Sequence, residues 1–272
     1  PQVLSDGGGS LTKLGAGQLT LSKVNTFMGT TIIGAGTLAL AGTGSIANST
    51  QIIVSNSATL DASGRNDQTL TVNNGVTLRG GGTVSGKLNA LGGSVISPGD
   101  GIGTLMVQSN VTLAGNIVLE LNRANAQASD ELAVTSGTIT GGGTLTVNNL
   151  GPALQAGDTF VLFNQAVAGF ATVNLPALGA GQAWMNNVAM DGSIRVVSTG
   201  AASLGLAQFN AGQLTLSWPA DHLGWRLQVQ TNDVLTGLST NWWDVPNTAA
   251  TNQVVLPMSP ANGSVFFRLI YP

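Results

Sequence analysis

Short runs in which apolar and small polar residues alternate fill the chain from Gly7 to about Leu121, and glycine or asparagine separates each from the next. The runs are Leu19 to Leu21, Thr37 to Leu40, Gln51 to Val54, Leu70 to Val72, Val76 to Leu78, Leu105 to Val107, Val111 to Leu113 and Ile117 to Leu121. A period of two puts every second side chain on one face, which predicts half-buried strands. No segment places apolar residues at i, i+3, i+4 and i+7 over a helical length without a glycine breaking it, so helix content is expected to be close to nil. Many short strands fit a sandwich, a barrel or a solenoid.

Internal similarity decides between these. Gly15-Ala16-Gly17-Gln18-Leu19-Thr20-Leu21 is echoed by Gly34-Ala35-Gly36-Thr37-Leu38-Ala39-Leu40, with weaker echoes at Gly80 to Val84, Gly103 to Val107 and Gly141 to Val147. Repetition at about twenty residues marks stacked coils, none of which can bury its apolar face alone. The expected fold is a right-handed parallel β-helix. Leu, Ile and Val would stack inside, Thr, Ser and Asn would form ladders outside, and glycine would take the left-handed corners.

The texture changes from about residue 122, where Asp130 to Val134, Gly143 to Val147, Gly157 to Phe163 and Trp184 to Val197 bring longer runs and phenylalanine. These read as widened closing coils, with larger side chains covering an end that has no next coil. Ser198 to Ser203 is a small-residue linker. Beyond it lie Trp218, Trp225, Trp242, Trp243 and the only tyrosine, Tyr271. Strands are predicted at Gln213 to Trp218, Trp225 to Thr231, Trp242 to Val245, Gln253 to Leu256 and Ser264 to Ile270, as in a small antiparallel β-sandwich. The expected domains are a β-solenoid over 1–199 and a C-terminal sandwich over 200–272.

Composition narrows the function. Charged residues make up 8% of the chain, against roughly 25% in an ordinary globular protein, and 38 glycines accompany abundant Ser, Thr and Asn. The 9 Lys and Arg are scattered, so no basic stripe exists to neutralise phosphates, and neither nucleic acid nor an anionic membrane surface is an expected partner. The mean hydropathy of +0.27 argues against disorder. No apolar run approaches the roughly 18 residues of a membrane helix, so no membrane insertion is expected. Cysteine is absent, which removes disulfides and thiolate chemistry. The start at Pro1, without Met or leader, is read as processing or truncation.

Leu11 to Leu40 resembles one unit of the autotransporter-associated β-strand repeat of Gram-negative surface proteins. The residues that carry the likeness include Leu11, Thr12, Lys13, Gly15, Gly17, Leu19, Leu21, Asn25, Thr26, Gly29, Ile32, Gly36, Leu38 and Leu40. Pro98-Gly99-Asp100-Gly101-Ile102-Gly103-Thr104-Leu105 is similar to a turn-plus-strand motif of the same passengers. The resemblance implies a parallel β-helix, an extracellular or cell-surface location and structural or adhesive work, and it brings no catalytic residues. Autotransporters continue into a membrane barrel of strands about ten residues long. No such run follows here, so export through its own barrel is not expected. The tail is similar in strand pattern to a fibronectin-III-like module of secreted bacterial proteins.

Candidate chemistry is sparse. His222 beside Asp221 lies in a turn, where adjacent side chains rarely aim at one another as a catalytic triad requires. One histidine and no cysteine cannot supply the usual zinc ligands. Asp61 with Asp67, or Asp130 with Glu131, are candidate carboxylate pairs for glycoside cleavage, and a lyase-type site would need clustered acids for calcium plus a basic residue such as Arg65. Neither pair has the aromatic and charged surroundings of a sugar groove. The glycine runs at 7–9 and 80–82 lack the lysine of a phosphate loop. No catalytic residue, cofactor or metal is expected.

The reading is therefore a secreted structural or adhesive protein that self-associates head to tail into a fibre or layer. The first coil, with Val3, Leu4, Leu11 and Leu14, is the expected assembly edge, because nothing there caps the unpaired backbone. The partner would be another copy of the chain. The alternative is a β-helix that binds or cleaves extracellular polysaccharide, with Trp218, Trp225, Trp242 and Trp243 as stacking platforms.

Overall fold

A computed structural model describes residues 3–5, 7–232, 235, 237–259 and 261–271. They are almost entirely strand and turn, and they divide into two compact units. The first comprises 1–152, 160–177 and 186–194, and the second comprises 153–159, 178–185 and 195–272.

The first unit is a parallel β-helix with three faces. Parallel sheets of eight, six and four strands run along it. In the eight-stranded sheet Leu11 pairs with Thr31, Thr31 with Ile52, Ile52 is followed by Leu78, Ile96, Ile117 and Leu145, and Leu145 pairs with Val173. Each step is one coil. The stride varies along the stack, with 20 residues between Ser10 and Thr30 and 28 between Asn110 and Thr138.

Side chains in the interior follow the sequence alternation. Ile52, Leu78, Ile96, Ile117 and Leu145 form one inward file, and Leu38, Leu60 and Val84 form another on the six-stranded sheet. A coil of three to six residues per strand has too few contacts to stand alone, and stacking supplies the rest. The corners need glycine where coils approach closely. Gly36 has φ +65°, and a Cβ there would lie 2.5 Å from the Gly17 carbonyl oxygen and 2.6 Å from those of Ala16 and Gly15.

The four-stranded sheet starts only at Thr69–Val72, because the first two coils close their third side with turns instead of a strand. Short strands at Leu11–Lys13, Thr31–Ile33, Thr59–Asp61, Thr83–Ser85, Lys87–Ala90 and Val95–Pro98 join the predicted ones. The expected run from Trp184 to Val197 is interrupted. Gln182–Asn187 leads into the helical turn Val188–Asp191, and Gly192 at φ +84° opens Ser193–Ser198.

In the second unit Gly205–Asn210, Gln213–Ser217 and Gln253–Pro257 form one antiparallel sheet, and Trp243–Asp244, Arg226–Asn232 and Ser264–Ile270 form another. Leu214, Leu216, Val254 and Leu256 of one sheet share a core with Leu227, Phe267 and Leu269 of the other, closed by Trp218. This is a small sandwich. Among the described residues no helix is long and apolar enough to cross a membrane.

Candidate functional site

The first coil combines the residues of the repeat with an open edge. Lys13 is inward and nearly buried, and its ammonium donates to the carbonyls of Leu14 at 3.1 Å, Gly15 at 2.7 Å and Ala35 at 3.0 Å. A buried cation requires such partners, and here they are backbone oxygens from two successive corners. Asn25 is also buried. Its Oδ1 accepts from Leu4 N at 2.9 Å, and its Nδ2 donates to the carbonyls of Lys23 and Ser45, each at 3.0 Å. One side chain thus ties three layers of chain. Below it Thr31 and Ser49 share a buried hydroxyl pair at 2.7 Å.

Leu11–Lys13 and Gln18–Leu21 are the end strands of the eight- and six-stranded sheets. Leu11 N donates to Thr30 O, and Lys13 O accepts from Gly34 N, so these residues point their backbone groups at the second coil. In a strand the next residue points the other way, which turns the N–H and C=O of Thr12 onto the outer edge. Leu19 is half-buried, whereas Leu38, one coil further in at the same register, is fully buried. Val3, Leu4 and Leu14 are exposed, Leu14 at 72%, and Leu11 is half-buried.

At the other end the edges of the six- and four-stranded sheets are covered. Leu132 N donates to Leu162 O at 3.0 Å, and Leu132 bridges to Phe163. The amide of Asn164 imitates a strand, donating to Val134 O at 2.7 Å and accepting from Val134 N at 3.1 Å. Gly141 N donates to Ala168 O, and the Phe163 and Phe170 rings lie 5.8 Å apart. Sequence reading anticipated the large side chains but not Asn164, whose role exists only through its distance from Val134.

The carboxylates are used locally. Asp61 Oδ1 accepts from Ser63 N at 2.9 Å and Ser63 Oγ at 2.6 Å, closing the corner after Thr59–Asp61. Arg65 grips Asp67 with Nε and Nη2 at 3.0 and 3.2 Å, donates to Gly44 O, and holds the Asp67 carboxyl below its usual range. Asp130 is fully buried, accepting from Gly103 N and Glu120 N at 2.8 Å each, and desolvation pushes it up to about 7. Burial also raises Glu131. Among the described residues no group of three or more His, Cys, Asp or Glu gathers as metal ligands would.

Two of the four candidate stacking tryptophans are corrected. Trp218 and Trp225 are buried at 4% and 6% exposure, because the small sandwich needs them as core, so neither offers a ring face to a ligand. Trp242 is half-buried with the Arg268 guanidinium 4.3 Å over its ring, and Trp243 is 72% exposed. The cavity of about 180 Å³ between the sheets is lined by Val229, Val245, Leu256, Met258, Val265 and Phe267, with Thr231, Pro257 and Asn262, and by no acid.

Residues 11–40 match the passenger-associated-transport-repeat family model. The matched segment is the first two coils, from the edge strand Leu11–Lys13 through Thr37–Leu40. The segment is thus similar to one repeat of autotransporter passengers. Lys13, Asn25 and Gly36 all fall inside it, and each ties or admits a neighbouring coil. No curated protein matches the chain.

Proposed function

We propose that the chain is a structural or adhesive surface scaffold that self-associates, with its first coil as the docking edge and a second copy as the partner. The observation that carries the reading is the half-exposure of Leu19 beside the full burial of Leu38, two residues that face the same interior one coil apart. An interior position left partly wet at a free strand edge is stabilised by any further layer that pairs there. Contact between unlike ends of the molecule is heterologous and propagates. The fibronectin-III-like likeness of the tail belongs to the same reading, as a terminal module of a secreted protein.

Thr12→Pro tests it. The substitution removes an outward N–H and no bond to the second coil. Wild-type chain should form large species in light scattering and filaments or sheets in electron microscopy, and Thr12→Pro should leave monomers of unchanged melting temperature. Wild-type monomers at every concentration, or assembly undiminished in the variant, would refute the docking edge.

A further inference from the structure

The single histidine of the sequence, His222, ends the short 3₁₀ turn Ala220–His222 and is buried. Its Nδ1 lies 2.7 Å from Asp221 Oδ1, and its Nε2 lies 3.0 Å from the Gly200 carbonyl oxygen. Both partners are acceptors. A neutral imidazole has one N–H, so one of its nitrogens must then point a lone pair at an oxygen within hydrogen-bond distance. The imidazolium donates to both.

The surroundings make this ring part of a fastening. Trp225, whose ring centre is 5.2 Å from that of His222, donates its indole N–H to Ser198 O at 2.8 Å. Tyr271 stands against Trp225 at 5.7 Å. Of the nearby charged groups, Arg195 donates to Ala220 O at 2.9 Å, and Asp158, next to the Gly157 that approaches Asp221, accepts from Gln155 N at 2.7 Å. Asp221 is the charge that touches the ring.

We propose that His222 is a proton-operated clasp holding the Ser198–Gly200 stretch onto the turn at 219–225. It is closed when the imidazole carries both protons and loosened when it loses one. The Trp225–Ser198 bond remains in either state, so opening frees Gly200 without detaching the strand before it. The small-residue composition of 198–203 supplies backbone freedom on release. This inference is independent of self-association.

With one histidine present, ring signals in an NMR titration of the full chain belong to His222 without ambiguity. The Gly200 carbonyl and the Trp225 indole N–H should shift with the same midpoint as the ring. His222→Gln keeps a donor for Gly200 and removes the titration, so both reporters should become flat. Reporters that stay fixed while the ring titrates, or that still move in His222→Gln, overturn the clasp. Should that variant fail to fold, Asp221→Asn provides the second arm, because it must move the shared midpoint, and an unmoved midpoint overturns the proposal equally.

Discussion

The two ends of the solenoid solve the same problem in opposite ways. Every β-helix ends in coils with a neighbour on one side only, which exposes strand edges and interior side chains. At the far end the chain turns back over its own edge. Phe163 and the Asn164 amide complete the strand Glu131–Val134, and Phe160, Leu162 and Phe163 are fully buried behind it. At the near end the first coil is tied firmly inward through Lys13 and Asn25, and among the described residues no strand pairs with its outer edge, where Leu14 is exposed and Thr12 faces out. A cap requires residues spent on closure, and an open edge requires strong ties to the coil beneath. The repeat supplies the ties.

Paired truncations test that difference most strongly. Leu38→Ala empties a fully enclosed site and should cost about 2–5 kcal/mol, measured by chemical denaturation, while Leu19→Ala should cost less than half as much. Equal costs would mean that the first coil is already covered in solution.

Acidity should separate the ends next. Asp130 sits in the closing half with its folded value raised from 3.8 to about 7, and Glu131 is raised in the same direction. A carboxyl raised on folding adds stability that is whole below its unfolded value and is lost as pH climbs through the folded one. Protection from exchange around 103–134, after correction for the intrinsic pH dependence, should therefore fall between pH 4 and pH 8 by the equivalent of about 2 kcal/mol, while the protection of the first two coils holds steady. Asp130→Asn should flatten the slope, and a slope unchanged in that variant would assign it elsewhere. Asp67, held low by Arg65, works in the opposite sense and only below 3.8.

The smallest effect compares two amides. Asn25→Ala and Asn164→Ala should each cost about 1–2 kcal/mol, but exchange should rise at Leu4 in the first case and at Val134 in the second. Spread of either effect to the opposite end would show the solenoid melting as one body.

The periodic middle was legible because its physics is local. The Gly15-Ala16-Gly17 and Gly34-Ala35-Gly36 echo fixes a corner, and Thr37 N donating to Gly17 O is the register that echo implies. What stayed hidden depends on distance in the chain. Nothing in the sequence couples Asn164 to Val134, or His222 to Gly200, until the fold brings them together. A module this small needs some of its tryptophans as core, but Trp218 and Trp243 look alike in sequence, and only the fold shows that Trp218 is core and Trp243 exposed.

Lys13 carries a last consequence. Its ammonium is neutralised by three carbonyl dipoles drawn from two corners. Dissolved ions weaken attraction between exposed charges several ångströms apart, but they have no access to a cation enclosed by backbone oxygens. Two ion pairs of the solenoid, Arg65 with Asp67 and Arg79 with Asp100, lie in later coils. The grip of the first coil should thus be the same in fresh water and in brine.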